Sequence, residues 1–186
     1  EGFYSGHGCG LGHRRLSIID LNARSNQPMW SASGRYVMVY NGEVYNYHEI
    51  ALQLQRDTES KAGFQFKTSS DSEVVLEAFA HYGESFVELL NGMFSIAIFD
   101  VQEKALYLFR DRLGIKPLYY AWKDGQFAFA SEIKALQQLA FIGSDYSRNA
   151  VADAYDNSDL SDPVKEDAPA SGFRPFADLK TLLRKR

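Results

Sequence analysis

The sequence predicts an α+β fold, and three observations favour it. Short β-rich segments follow one another from about residue 11 to residue 135, separated by glycines or charged turns. Helical periodicity is limited to a few stretches, without the regular strand–helix alternation of a doubly wound sheet. Residues 93–100, MFSIAIFD, are apolar almost throughout, which is typical of a strand covered on both faces. We therefore expect a sheet in the middle of the fold.

Seven strands are predicted from runs of β-branched and aromatic residues between turn signals. They span residues 11–19, 36–40, 64–67, 93–100, 105–110, 118–122 and 127–131. Residues 101–104, VQEK, form a short polar connection between two of these strands. We expect the strands on either side of it to pair as an antiparallel hairpin.

The clearest predicted helix covers residues 70–82. Apolar side chains recur along it at helical spacing, at Val74, Val75, Ala78, Phe79 and Tyr82. Ser70 and Glu73 have the spacing of a capping box, in which each side chain binds a backbone donor at the helix start, and Gly83 is expected to end the helix. Shorter helices are predicted over residues 48–55, 84–90 and 132–139.

The chain divides into one domain, residues 1–140, and a poorly defined helical or mobile tail, residues 141–186. With 186 residues and 45% hydrophobic side chains, it can bury one sizeable core. Residues 156–170 are acidic and poor in apolar side chains, which favours a mobile linker. Residues 176–186 have the pattern of a small amphipathic helix with a basic end, but we favour a solvated or partner-docked tail there.

Composition argues against several classes of function. The net charge is −4, and Lys and Arg are scattered, so the chain has no basic surface of the kind that nucleic-acid binding needs. Its apolar runs fall far short of the roughly 20 residues that span a bilayer, and its start has no charged-then-apolar leader. A single cysteine, Cys9, cannot form an internal disulfide, which fits a reducing cytoplasm.

Four polar positions have competing interpretations from the residues alone. Asn41-Gly42 between β-rich segments is a strong signal for a hairpin turn. Asp71, in the first turn of a helix, is stabilised by the helix dipole and needs no ligand for that role. Arg15 beside Arg14 reads as an exposed strand arginine.

Cys9 lies between glycines, with His7 and His13 nearby in the sequence. A catalytic cysteine–histidine pair is one interpretation. We favour a non-catalytic thiol, because catalytic cysteine and histidine residues usually lie far apart in a sequence.

Six sequence blocks occur in an order that points to a family. They are GHRRLSIID at residues 12–20, NGEVYN at 41–46, SDSEV at 70–74, NGMFSIAIFD at 91–100, RDRLGIKPLYY at 110–120 and ASEIKAL at 130–136. Between about residues 2 and 136, the chain resembles the glutaminase domain of asparagine synthetases. That domain is a class II glutamine amidotransferase belonging to the N-terminal nucleophile hydrolases.

The resemblance implies a pocket for L-glutamine. Arg15 would pair with the α-carboxylate of glutamine, and Asp71 would hold its α-ammonium. The Asn41 side-chain amide and the Gly42 backbone N–H would form the oxyanion hole. Glu43 would bind the ammonium or border the pocket. Leu16, Ile18 and Ile19 would serve as pocket wall or as core.

The resemblance also implies a four-layer αββα sandwich, here incomplete at its N-terminus. The family attacks glutamine with a cysteine at residue one, where this sequence has Glu1. We therefore expect the isolated chain to be inactive. A C-terminal synthetase domain, using ATP and Mg²⁺ to activate aspartate, is the implied partner within a cytoplasmic enzyme that could form a homodimer.

Three alternatives stay open from the sequence. The chain could be a glutamine-binding or regulatory module without catalytic activity. It could serve a related synthetase-like enzyme that amidates another acceptor. It could also be a purely structural interaction domain, which would need none of these polar side chains.

Residues 110–117 are expected to act as scaffold only, as a charged turn between strands.

Overall fold

The computed structural model describes residues 1–14, 26–58, 65–123, 125–142, 174–175 and 181–184. Its strands are β1 (Gly2–Gly6), β2 (Cys9–His13), β3 (Met29–Trp30), β4 (Tyr36–Val44), β5 (Gly92–Asp100), β6 (Ala105–Arg110), β7 (Tyr119–Lys123), β8 (Gln126–Ala130), β9 (Arg174–Pro175) and β10 (Thr181–Arg184). Its helices are α1 (Tyr47–Thr58), α2 (Asp71–Tyr82), a 3-10 helix (Gly83–Leu89) and α3 (Ile133–Leu136).

A central antiparallel sheet organises the described residues. Its strand order is β10-β6-β5-β4-β3, while β1-β2 and β8-β7-β9 form two smaller sheets. The longest pairing joins β4 to β5, in regular register from Tyr36 opposite Asp100 to Val44 opposite Gly92. The predicted hairpin of β5 and β6 is confirmed, with Asp100 paired to Ala105 beside the turn.

Helices cover one face of the central sheet. Even-numbered residues of β4, such as Met38 and Val44, point into a core built with α1, α2 and the 3-10 helix. Phe79 of α2 lies in its middle and contacts four aromatic rings at centroid distances of 5.1–5.9 Å. These edge-on contacts add to the apolar area that each ring buries. The stripe predicted for this helix is therefore its core face.

The two smaller sheets cover the opposite face. Val37 and Val39 of β4, with Phe99 of β5, pack against Leu11 of β2 and Leu118 before β7. Both faces of β5 are thus buried, as its sequence predicts. The far side of β7 and β8 packs in turn against α3, through Ala121 and Leu136.

Helix α2 confirms most of what the sequence predicts for it. It runs from Asp71 to Tyr82, and Gly83 ends it with φ of 62°. The capping box forms by half: the Ser70 hydroxyl accepts from the Glu73 amide at 3.4 Å. The Glu73 carboxylate instead binds the amides of Lys67 and Thr68, at 2.9 and 2.6 Å.

That capture explains why the strand predicted over residues 64–67 is wrong for Gln65–Lys67, which have no regular structure. The Lys67 amide serves the start of α2 instead of a neighbouring strand. Residue 64 lies outside the described residues.

Other predicted elements differ in length or kind. The segment expected as a helix over residues 84–90 is a 3-10 helix, and the expected helices at 48–55 and 132–139 are Tyr47–Thr58 and Ile133–Leu136. The amphipathic helix considered for residues 176–186 is not formed at Thr181–Arg184, which pairs as β10 with β6. An open sheet edge offers a row of unpaired backbone groups, and such pairing overrides a weak local preference.

Candidate functional site

The free side of β4 is built from alternating backbone groups. In an antiparallel pair, every second residue directs its N–H and C=O away from the neighbouring strand. On β4 these are the even-numbered residues. Tyr36 donates to the Ser31 hydroxyl at 3.1 Å, and Met38 pairs with Met29 of β3. Beyond β3, side chains replace a strand.

Two side chains complete this edge. The Gln27 carboxamide donates to the Tyr40 carbonyl at 3.0 Å and accepts from the Tyr40 amide. Four residues further along, the Val44 amide donates to Asp71 Oδ2 at 3.1 Å. Gly42 lies halfway between these two clamps.

Gly42 presents an open position on the edge. Its partner across the β4–β5 ladder is Phe94, whose N–H and C=O both bond to Asp111, at 3.1 and 2.8 Å. Gly42 and Phe94 therefore exchange no hydrogen bonds, and the Gly42 N–H points to the free side of β4. None of the described residues accepts from it. The Gly42 N–H is thus a donor at a fixed place in a partly exposed residue, without an acceptor among the described residues.

Asn41-Gly42 is not a turn, so the hairpin interpretation of this dipeptide is wrong. Both residues lie inside β4, because nine continuous pairings with β5 outweigh the local turn preference. Glycine is required for a different reason. A Cβ on Gly42 would overlap the Met93 carbonyl oxygen and come within 2.7 Å of the Phe94 Cα.

Asp71 is the carboxylate next to this open position. It is 5% exposed, and its Oδ2 accepts from the Tyr40 hydroxyl at 2.7 Å as well as from Val44. Among the described residues, its Oδ1 has only a long contact of 3.5 Å from the Ser72 hydroxyl. One oxygen is thus committed to fixing the side chain, while the other keeps most of its capacity to accept hydrogen bonds.

The sequence interpretation missed Tyr40 and Gln27. Burial, followed by the charge and hydrogen bond of Asp71, raises the pKa of Tyr40, which keeps the phenol a donor. A tyrosine directly after the apolar run Val37–Val39 was the available signal, since a buried hydroxyl nearly always has a partner. Gln27 carries no comparable local signal.

Replacing Tyr40 with phenylalanine should lower the free energy of unfolding by about 1–3 kcal/mol, because Asp71 Oδ2 loses a donor in a buried setting. Urea unfolding measures the change. Tyr36→Phe is the matched control, since Tyr36 keeps its ring contact with Phe79; we expect at most about 0.5 kcal/mol there. Equal effects of the two variants would contradict the assigned bond.

Asn41 and Glu43 flank Gly42 and project from the face of β4 that carries Val39. Asn41 is partly exposed and Glu43 exposed, and neither side chain has a hydrogen bond with another described residue. Both are free to contact a ligand at the edge. Asn41, Gly42 and Glu43 are consecutive in β4, and Asp71 of α2 reaches the same strand through its bonds to Tyr40 and Val44. Arg15, Leu16, Ile18 and Ile19 lie outside the described residues.

An open cleft of about 580 Å³ lies at the far end of the β1–β2 hairpin. Glu1, Gly2, Phe3, Gly12, His13 and Arg14 line it. Asn41, Gly42 and Asp71 do not, so we assign this cleft no part in the candidate site.

Cys9 has no catalytic geometry. It lies in β2 beside the hairpin turn, where His7 contacts the Tyr4 hydroxyl at 3.2 Å. His13 is four residues further along the same strand. Burial raises the pKa of the Cys9 thiol to about 11, so it is a neutral thiol near pH 7. Thiolate is the nucleophilic form of cysteine, and this environment disfavours it.

The charged segment after β6 is scaffold, as expected. Asp111 accepts from the amides of Ile115 and Lys116 at 2.8 and 3.0 Å. Arg110 donates to the carbonyls of Lys116 and Gly114 at 2.7 and 2.6 Å. The charges bind backbone groups of their own loop and so fix its conformation. Asp111 also holds this loop against the backbone of Phe94, the β5 residue opposite Gly42.

The described residues contain neither a metal-binding cluster nor a membrane-spanning helix. No group of three or more His, Cys, Asp or Glu side chains could hold a metal ion there. None of the helices in the described ranges has both the length and the apolar character to cross a membrane.

A family of known domains matches most of the sequence. The sequence model described as "Glutamine amidotransferase domain" matches residues 1–169. The chain belongs to this family. The predicted resemblance is thereby confirmed at the level of the domain.

Curated relatives of this glutamine amidotransferase domain are longer proteins. The asparagine synthetase [glutamine-hydrolyzing] of Zea mays is 39% identical over 137 residues, which are 73% of this chain and 22% of that protein. Amidase chry2 of Gibberella zeae is 41% identical over 139 residues, 75% of this chain and 20% of that protein. The chain spans about a fifth of the length of these relatives.

Solved structures support the fold of the glutamine amidotransferase domain. Glutamine phosphoribosylpyrophosphate amidotransferase from B. subtilis, complexed with ADP and GMP, superposes with a TM-score of 0.56 at 22% identity. The match covers 69% of this chain and 28% of the solved chain. The predicted N-terminal nucleophile hydrolase fold is confirmed at this coarse level.

Proposed function

We propose that the chain binds L-glutamine at the edge of β4 and forms the glutaminase half of an asparagine synthetase. The observation that carries the proposal is the open backbone N–H of Gly42, held between Asn41 and the fixed carboxylate of Asp71. Membership of the amidotransferase family and the similarity to the Zea mays synthetase support it.

The chemistry assigned to Asn41 and Gly42 is stabilisation of an oxyanion. Attack on the carboxamide carbon of glutamine converts its carbonyl oxygen into an alkoxide, and two aimed donors lower the energy of that state. A backbone N–H fixed by strand pairing and an uncommitted side-chain amide are suitable donors. Because strand pairing already holds the Gly42 N–H, little reorganisation of that donor would be needed.

Asp71 and Arg15 are assigned to the amino-acid end of the substrate. The Oδ1 oxygen of Asp71 keeps capacity for an ammonium donor, and its companion oxygen is anchored by Tyr40 and Val44. Arg15 would bind the α-carboxylate through its planar fork of donors. Together they would favour a free amino acid over a peptide. Glu43 would border the pocket, with Leu16, Ile18 and Ile19 as wall.

The rest of the enzyme is part of the same proposal. A synthetase domain would use ATP and Mg²⁺ to activate aspartate, and ammonia released from glutamine would amidate it. We further propose a cytoplasmic location, a homodimer and a complete four-layer αββα sandwich. The packing of α3 behind β7 and β8, and of α1 and α2 beneath the central sheet, supports that layering.

A second candidate keeps the glutamine site and changes the acceptor. Similarity to Amidase chry2, at 41% identity, supports this second candidate as strongly as similarity to the Zea mays synthetase, at 39% identity, supports the first. The acceptor would then be a substrate other than aspartate. A binding module without catalysis would share the same glutamine contacts.

Titration calorimetry of the 186-residue chain with L-glutamine tests the site. We expect saturable binding, and N-acetyl-L-glutamine should fail to bind because it lacks the ammonium that Asp71 would hold. Asn41→Ala should weaken glutamine binding by about fivefold, the value of one neutral hydrogen bond.

Asn91→Ala is the matched control for Asn41→Ala. Asn91 is exposed and lies just before β5, away from the open edge of β4. It should change the affinity by less than about twofold. Absence of saturable glutamine binding, or equal losses in the two alanine variants, would overturn the proposed site.

A further inference from the structure

The Gln27 side chain takes the place of a strand at one position of the β4 edge. Its carboxamide satisfies both backbone groups of Tyr40, as donor at 3.0 Å to the carbonyl and as acceptor from the amide. Gln27 is 6% exposed, so water does not compete freely for these bonds. A neighbouring strand residue would make the same pair of contacts.

Gln27 is itself held on its other side. A Cβ added to Gly2 of β1 would overlap the Gln27 carbonyl oxygen, so β1 packs directly against the Gln27 backbone. Two residues further on, Met29 begins the pairing of β3 with β4. The carboxamide therefore projects from a fixed backbone and cannot follow movements of Tyr40.

We propose that Gln27 is a positioning residue that sets the direction of the Gly42 N–H. The strand segment 40–44 is clamped at one end by Gln27 and at the other by Asp71 through Val44. Gly42 lies two residues from each clamp and has no side chain to hold its own peptide planes. The peptide that carries the Gly42 N–H is tied to β5 through Asn41, opposite Ser95, and the Gln27 clamp holds the preceding peptide through the Tyr40 carbonyl. Removing this clamp lets the strand segment tilt about its pairing with β5 and turns the Gly42 N–H, while the contacts assigned to the amino-acid end of glutamine stay in place.

Asn46 supplies a matched control for this inference, which rests on the proposed function. Its carboxamide clamps two backbone groups in the same way, donating to the Leu89 carbonyl and accepting from the Asn91 amide, both at 2.9 Å. It lies beyond Val44, past the Asp71 clamp. A general loss of rigidity would follow from either replacement, but a specific effect on Gly42 should follow only from replacing Gln27.

The experiment compares amide resonances of the ¹⁵N-labelled chain in three forms: the native sequence, Gln27→Met and Asn46→Leu. Without glutamine, we expect the Gly42 resonance to shift and broaden in Gln27→Met and to stay in place in Asn46→Leu. Adding saturating L-glutamine changes the chemical shift of the Gly42 amide proton, and we expect this change to be at least about twofold smaller in Gln27→Met than in the native chain. The reason is that hydrogen bonds weaken steeply with misalignment. The affinity for glutamine should change by less than about threefold, since the end-group contacts remain.

Gln27→Glu is the second variant and covers the case in which Gln27→Met does not fold. It keeps an acceptor for the Tyr40 N–H and loses the donor to the Tyr40 carbonyl, so a partial Gly42 shift is expected. An unperturbed Gly42 resonance in these Gln27 variants, or an equal perturbation in Asn46→Leu, overturns the positioning role. If the native chain shows no response to glutamine, the proposed function fails, while the ligand-free spectra still decide the role of Gln27.

Discussion

Replacing Asp111 with alanine is expected to lower the free energy of unfolding by about 3–5 kcal/mol, because three backbone amides lose one shared acceptor. Those amides belong to Phe94, Ile115 and Lys116, at 3.1, 2.8 and 3.0 Å from the carboxylate. Asp111 is 6% exposed, so water replaces few of these bonds. Equilibrium unfolding in urea measures the loss.

The same substitution should change how stability depends on pH. Burial raises the pKa of Asp111, but the amides of Lys116, Ile115 and Phe94 outweigh burial and hold it below its usual range. A carboxyl with a depressed folded-state pKa stabilises the protein above its unfolded pKa of about 3.9, and that contribution is lost as pH falls further. The difference between native and Asp111→Ala chains should therefore be full above about pH 5 and shrink below about pH 4.

Two variants control for this effect. Glu132→Ala removes an exposed carboxylate that pairs with Lys134, and should cost about 0.5 kcal/mol or less. Asp111→Asn keeps one acceptor oxygen and should fall between the native chain and the alanine variant. A stability difference for Asp111→Ala that stays constant from pH 7 to pH 3 would contradict the assignment.

Gly42→Ala should destabilise the chain by about 3 kcal/mol, at the upper end for an overpacked site. The atoms that obstruct the new methyl group are backbone atoms, the Met93 oxygen and the Phe94 Cα. They cannot move aside without separating β4 from β5. Thermal or urea unfolding provides the measurement.

Gly10→Ala is the matched control for Gly42→Ala, because Gly10 is also a strand glycine. A Cβ there meets only ordinary contacts, the nearest at 3.7 Å from the Phe3 ring. We expect a change of about 0.5 kcal/mol or less. Similar losses in both variants would mean that a general cost of alanine in these strands, and not the close approach of β5, accounts for the effect at Gly42.

Local signals explain the parts of the fold that the sequence predicted well. Helix α2 has a capping serine, an apolar stripe and a terminal glycine that agree with one another, and the structure places its ends within one residue of the prediction. The continuous apolar run of β5 likewise needs burial on both faces wherever it lies. When independent local preferences agree in this way, a helix or strand can be predicted from the sequence alone.

The contacts along the edge of β4 could not be predicted from local sequence signals. Gln27 meets Tyr40 across 13 residues, and Asp71 meets Val44 across 27. These contacts exist only after β4 has paired with β5 and α2 has packed beneath it. The Asn41-Gly42 dipeptide shows the same limit in reverse, because its strong local turn preference is overridden by pairing with β5.

The candidate residues were predicted from the resemblance of their sequence motifs to a family, and not from the physical properties of the residues. Residues 41–46 and 70–74 match the family blocks, but nothing local in them indicates that Gly42 would face the free side of β4. That orientation follows from the register opposite Phe94. The sequence therefore identified the candidate residues, and the pairing of β4 with β5 determined how the backbone at Gly42 is oriented.

An edge strand normally invites foreign strands, because it offers them a ladder of unpaired amides and carbonyls. In the described part of this chain, the carboxamide of Gln27 and the carboxylate of Asp71 occupy that ladder on either side of Gly42. On the proposed function, a small molecule would bind in the gap they leave, whereas an extended polypeptide would meet two side chains that already occupy the edge. Selectivity for small ligands and resistance to aggregation would then have the same structural origin.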